Sequence, residues 1–371
     1  ERPVRVVGLV VGVVVVLGTL GSVFTTLVVP RVTSSRLLRA IAKGLAKAVR
    51  PTIVRLGDYG AQDRLMGLVG PLAMVLLFLA WLALLTVGYG LLAWAIDDTS
   101  LLHSLAVAAS SITTLGVVTL HQDGPEGIEF VAAATGLLVV ALEIAYLPTL
   151  YAAFSARETE VTLLATRAGV PAWGPELLSR HHRFGTMAEL PDLYRTWERW
   201  SAAVAESHTN YPALLWLRSP VPWRSWLTGL TAMLDAAALQ DAISPGAAPR
   251  QARICLQAGT NCLRAIAGAL HIEFDPDPLP TDGIRLTYDE FRQGIDRLQR
   301  AEFPFERTPE DAWRHFAGWR VNYEGIVDAL TRLVMPPPAP WFAERPALGE
   351  LQFPRVLDRT PDDPDAARPR T

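Results

Sequence analysis

Three long apolar runs constrain this chain before any motif does. They occupy residues 4–30, 66–96 and 127–154. Each reaches or exceeds the roughly 20 residues that an α-helix needs to cross a bilayer. A fourth run, Leu101 to Ile112, makes only about three helical turns and is too short to cross. It is followed by Thr113-Thr114-Leu115-Gly116-Val117-Val118 and then by the third long run. A short apolar helix and a turn between two spans have the layout of a re-entrant loop. Non-helical backbone at membrane depth survives only where it lines a cavity, and carbonyls there are free to replace the hydration shell of a cation. Ser110 and Ser111 are expected to brace the short helix.

Residues 4–30 exceed the 7–15-residue apolar core of a leader peptide and read as a span. The connector 31–64 holds Arg31, Arg36, Arg39, Lys43, Lys47, Arg50, Arg55 and Arg64 against only Asp58 and Asp63. Arg36, Arg39, Lys43, Lys47 and Arg50 recur every three or four residues, so they share one helical face. Leu38, Ile41, Leu45 and Val49 take the other. This pattern suits a helix in the headgroup layer against anionic lipid, or a topology signal with a solvated face. Stacking aromatics are missing from the helix, which argues against nucleic acid as its partner. Basic connectors stay inside. The expected topology therefore has the amino terminus outside, the turn entered from outside, and the carboxy-terminal half in the cytoplasm of a plasma-membrane protein.

At residues 113–119 the chain resembles the potassium-channel pore-loop superfamily, whose filter reads Thr-Thr-Val-Gly-Tyr-Gly-Asp. Here those positions are Thr113, Thr114, Leu115, Gly116, Val117, Val118 and Thr119. The likeness spans residues 66–154. It implies a homotetramer with no cofactor, a permeant potassium ion, an outer helix at 66–96, a pore helix and filter at 100–118, and an inner helix at 127–154. Val118 stands where the family has its second Gly, and a β-branched residue resists φ > 0.

A literal Thr86-Val87-Gly88-Tyr89-Gly90 also occurs, inside the second long run. Helical hydrogen bonds would occupy its carbonyls. Choosing it as the filter would put the basic connector outside. Gly88 and Gly90 are therefore expected to permit close helix packing. In the third run, Gly136 stands at a hinge position, Glu143 is an ionisable group within a span, and Pro148 is expected to kink the helix. Glu143 is read either as facing the pore or as protonated and bonded to a neighbouring helix. Thr119, His121, Gln122, Asp123 and Glu126 would surround the mouth, where the two carboxylates would concentrate cations or form an ordinary loop.

The remaining chain reads as helical at 191–205, 223–242, 250–271, 288–300 and 309–334. Thr287 with Glu290 fits a capping box, and Thr308, Pro309 and Asp311 fit a helix start. No Gly-x-Gly-x-x-Gly turn follows a strand pattern, which argues against a nucleotide-binding Rossmann domain. His181-His182 and Glu206-Ser207-His208 lack metal spacing or a nucleophile elbow, and the His pair reads as a helix-end or surface feature. Trp197, Trp200, Trp216, Trp223 and Trp226 read as core packing or, near the membrane, as interface anchors. Cys255 and Cys262, seven apart, read as small half-buried residues in a reducing compartment rather than a zinc pair. From Pro336 to residue 371 the composition suggests an extended tail.

The whole is expected to be an all-α membrane protein, not an enzyme. Its parts are a span (4–30), a basic connector (31–64), a pore module (65–155), a helical cytoplasmic domain (156–335) and a tail (336–371). It is expected to act as a tetrameric cation channel gated by that domain. The alternatives are a weakly selective or non-conducting relative, or a membrane-anchored sensor or scaffold working through residues 155–371.

Overall fold

The computed structural model describes residues 2–29, 36–97, 99–119 and 126–342. Among them no strand forms, and the α-helices follow in order. These are α1 (Arg2–Leu27), α2 (Arg36–Arg55), α3 (Tyr59–Gly67), α4 (Val69–Ile96), α5 (Leu101–Ile112) and α6 (Glu126–Ala168). Then come α7 (Gly174–Arg183), α8 (Leu190–Asn210), α9 (Trp226–Ile243), α10 (Arg250–Leu270), α11 (Tyr288–Gln299) and α12 (Pro309–Val334). Three stretches, Arg2–Leu27, Tyr59–Ile96 and Glu126–Ala168, are long and apolar enough to cross a membrane.

The chain divides into two units. The first comprises Glu1–Leu56, Leu65–Ala153 and Asn210–Leu217. Here α1 lies along α4, and the approach is close because both helices offer glycine. A Cβ on Gly12 would stand 2.9 Å from the Gly88 carbonyl oxygen, and one on Gly88 2.7 Å from Val16 Cγ2. Trp81 Nε1 donates to Ser22 Oγ at 3.1 Å between the same helices. Thr86 to Gly90 is thus helix, as expected, and Gly90 lies against Leu105 of α5. The outer face of α1 presents Val6, Val7, Val10 and Val14, all more than half exposed. Helix α2 packs on α4 through buried Leu38 and Ala42. The 3-10 turn Pro212–Trp216 also belongs to this unit, its Trp216 carbonyl resting against Gly70. Helix α6 passes through Pro148 without a break.

The second unit comprises Gly57–Arg64, Phe154–Thr209 and Arg218–Thr371. At its centre is α9, in which all 18 residues are buried. Its residues are mostly apolar, with Asp235, Gln240 and Asp241 among them, and α7, α10 and α12 surround it. Both predicted helix starts form: Thr287 and Glu290 make a reciprocal capping box, and Thr308 Oγ1 accepts from Asp311 N. Cys255 and Cys262 are free and buried.

Four sequence expectations are modified. The connector 31–64 is divided: α2 belongs to the first unit and residues 57–64 to the second. Helix α6 extends past residue 154 to Ala168. Helix α7 was not anticipated. Residues 336–342 are no loose tail: Trp341 is 2% exposed and its Nε1 donates to the Glu290 carbonyl at 2.8 Å. Residues 343–371 lie outside the described part.

Candidate functional site

The turn after α5 is held from beneath by one side chain. Ser100 caps the helix start, accepting from His103 N at 3.3 Å, and Thr99 Oγ1 meets Ser104 Oγ at 2.9 Å. At the other end Ser110, 6% exposed, collects the backbone donors of the turn. Its carbonyl accepts from Leu115 N at 2.9 Å and Gly116 N at 3.4 Å. Its hydroxyl accepts from Val117 N at 2.8 Å and Val118 N at 3.1 Å. Thr114 N donates to the Ser111 carbonyl at 2.9 Å. Ser110 and Ser111, expected to brace the short helix, here accept the backbone donors of the turn that follows it.

The amides of residues 114–118 are therefore all engaged inward. Among the described residues no donor meets the carbonyls of Thr114, Leu115, Gly116 or Val117. Two residues reach the left-handed region: Thr114 at φ +58° and Gly116 at φ +63°. For Gly116 this conformation is natural. For a β-branched Thr it costs on the order of 1–3 kcal/mol and persists only where neighbours over-determine it. Leu115 and Val117 are 70% and 78% exposed, so the turn projects two apolar side chains. Val118 does not: it packs with Ile128 against Ala93 and Val107. It has no positive φ, so the position where the resembled family has Gly is here an anchoring side chain.

Helix α6 supports the turn from the side. A Cβ on Gly136 would lie 2.1 Å from the Ile112 carbonyl oxygen, so α5 ends directly against bare backbone. The neighbouring Thr135 meets the Tyr89 hydroxyl at 2.7 Å, a buried bond joining α6 to α4. Gly136 thus has a packing role that the hinge reading did not anticipate. Glu143 is half-buried and, among the described residues, makes no hydrogen bond or ion pair within its own chain. Thr119 is exposed beyond the turn and Glu126 begins α6. His121, Gln122 and Asp123 lie outside the described residues.

The basic residues do not join this turn. Lys43, Lys47 and Arg50 are exposed on α2 and Arg39 is half-buried. The Arg36 side chain lies outside the described part. Nor do the histidine motifs. His181 is buried in the last turn of α7 rather than at the surface, with Nδ1 2.8 Å from the Leu177 carbonyl.

Sequence reading missed the buried charges of the second unit. Arg320 donates to both oxygens of Asp235 at 2.8 Å and to Glu324 at 2.7 Å, and Tyr323 donates to Asp235 at 2.7 Å. Glu176 accepts from Arg180 at 2.7 Å and Arg297 at 2.5 Å. Arg320–Glu324 and Arg180–Glu176 are i,i+4 pairs, but the bonds to Asp235 and from Arg297 cross 85 to 121 residues, and nothing local announces those. Among the described residues no group of three or more His, Cys, Asp or Glu is placed to hold a metal ion. Comparison with protein-family models, with characterised proteins and with solved structures finds no match to this chain.

Proposed function

We propose that this chain is the subunit of a homotetrameric channel for monovalent cations, with potassium the expected permeant ion. One observation carries the reading. Between two helices able to cross a membrane, a turn directs every amide of residues 114–118 inward and leaves successive carbonyls without donors. Carbonyl oxygens without donors are the ligands a dehydrated cation requires. One turn offers too few to surround an ion, so several copies about a common axis are needed. The exposed Leu115 and Val117 supply apolar surface for that assembly. The proposed path runs through the plasma membrane, with the amino terminus outside and the helical bundle in the cytoplasm. Lys43, Lys47 and Arg50 of α2 face anionic headgroups at the inner leaflet.

Val118 favours a second reading of selectivity. Because its side chain is turned into the subunit core, the outer part of the filter departs from the resembled pattern, and discrimination between potassium and sodium is expected to be weak. Purified protein in liposomes, challenged with separate potassium, sodium and chloride gradients, tests both statements. Cation flux abolished by Gly116→Asp supports the channel. A monomeric or dimeric particle without flux refutes it and leaves residues 155–371, as a membrane-anchored sensor or scaffold, to carry the function.

A further inference from the structure

The last part of α6 is gripped within the second unit by an arrangement that tolerates only one protonation state. Arg157 of α6 is 2% exposed. Its guanidinium lies 5.2 Å from the Phe154 ring and 5.9 Å from the Trp226 ring of α9. Glu158 takes Nε at 2.9 Å and Nη2 at 2.8 Å. On another side, Nη1 meets Nε2 of His208, 3.1 Å away in the last turn of α8. Trp200 of α8 donates to the Arg157 carbonyl at 3.1 Å.

Two contacts fix the tautomer of His208. Its Nδ1 lies 3.0 Å from the Val204 carbonyl, which cannot donate, so Nδ1 carries the proton. Arginine has no acceptor, so Nε2 must receive the hydrogen bond from Arg157. The ring is therefore neutral. A second proton could go only to Nε2, where it would face an N–H of Arg157 and place two cations about 3 Å apart in a buried site. Burial and Arg157 together hold the His208 pKa well below its ordinary value. Charged and titratable groups facing the ring are Arg157 from α6, with Glu158 on another edge of the guanidinium. Ser207 approaches Nδ1 at 3.3 Å within α8, and α9 contributes Trp226, which carries no charge.

We infer that His208 is an acid-sensitive latch: protonation releases residues 154–168 of α6 from α8 and α9. The sign follows from linkage. The released ring regains its ordinary pKa near 6.5, so the open form binds more protons below that pH. The latch is complete above about pH 6.5. It weakens about tenfold per pH unit below it, until the depressed pKa of the closed form is reached. Because α6 is the helix that abuts the pore turn at Gly136, release is expected to change conduction. That last step rests on the channel reading, whereas the release does not.

Hydrogen–deuterium exchange of the full chain in nanodiscs between pH 7.5 and 4.5, corrected for intrinsic rates, tests the release. Amides of residues 154–168 should lose about a hundredfold of protection between pH 6.5 and 4.5, while α10 and α12 keep theirs. His208→Gln can accept from Arg157 but cannot be protonated, and should remove the pH dependence. Unchanged wild-type protection overturns the latch, as does an equal loss in both proteins. Should His208→Gln not fold, the wild-type profile decides alone, by loss confined to α6 and α8 or no loss. Flux is read in parallel. Release without any flux at any pH leaves the latch standing and refutes the channel, while pH-independent flux despite release overturns the coupling.

Discussion

Replacing Gly136 by alanine tests the geometry on which the turn after α5 depends. In an isolated helix this change is favourable by about 1 kcal/mol. Here the new Cβ would lie 2.1 Å from the Ile112 oxygen, 2.8 Å from its carbonyl carbon and 2.9 Å from its Cα. Ordinary contacts begin near 3.4 Å. The opposing atoms are backbone, so no rotamer change relieves the overlap, and α5 must back away by roughly 1 Å. Overpacking of this kind costs about 1–3 kcal/mol, which outweighs the propensity gain for all but the mildest case. Ile112 immediately precedes Thr113, so the displacement falls on the turn itself. The expected result is a melting midpoint lowered by several degrees and cation flux reduced at least tenfold. The control is Gly127→Ala in the same helix, where a Cβ meets nothing within 4 Å. If Gly136→Ala and Gly127→Ala melt and conduct alike, α5 does not end against α6 as described, and the support assigned to the turn is wrong.

Ser110→Ala removes the acceptor for Val117 N and Val118 N. It should cost about 1–3 kcal/mol and abolish selective flux before it unfolds the protein, which thermal melting alongside liposome flux would separate. Arg320→Met strands Asp235 and Glu324 in the core. A loss of about 3–5 kcal/mol is expected, seen as early unfolding by tryptophan fluorescence. Arg320→Lys should rescue only part, because one ammonium cannot span both carboxylates. Burial pushes the Cys255 and Cys262 thiols up to about 12. Neither should react with maleimide at pH 8 until denaturant is added, and rapid labelling of the folded chain would contradict the packing of α10.

The features legible in the sequence are those written in local pattern. Hydropathy located three helices because a span must be apolar along its whole length. Helix α9 was legible through its helical periodicity, and Thr287 with Glu290 because capping acts over three residues. The turn after α5 was singled out by its short helix and its Thr-Thr-x-Gly. Other features depend on distant partners. Helix α7 offers only Leu177 and Leu178 as apolar signal. Its buried Glu176 pairs with Arg180 within the helix and also with Arg297, which lies 121 residues further on. Trp341 looked like part of a polar tail because the core it fills, beside Glu290 and Phe291, is built from other helices. The strain at Thr114 could not be read, since threonine is a poor residue for that backbone and only the surrounding bonds impose it.

The inward orientation of the amides carries a consequence for charge sign. In the proposed channel, an anion entering the ring would need N–H groups, and those of residues 114–118 are already committed to Ser110 and Ser111. On that reading chloride would meet carbonyl oxygens and be disfavoured. The same Ser110 hydroxyl that takes Val117 N and Val118 N would thereby also help to set the sign of the permeant ion.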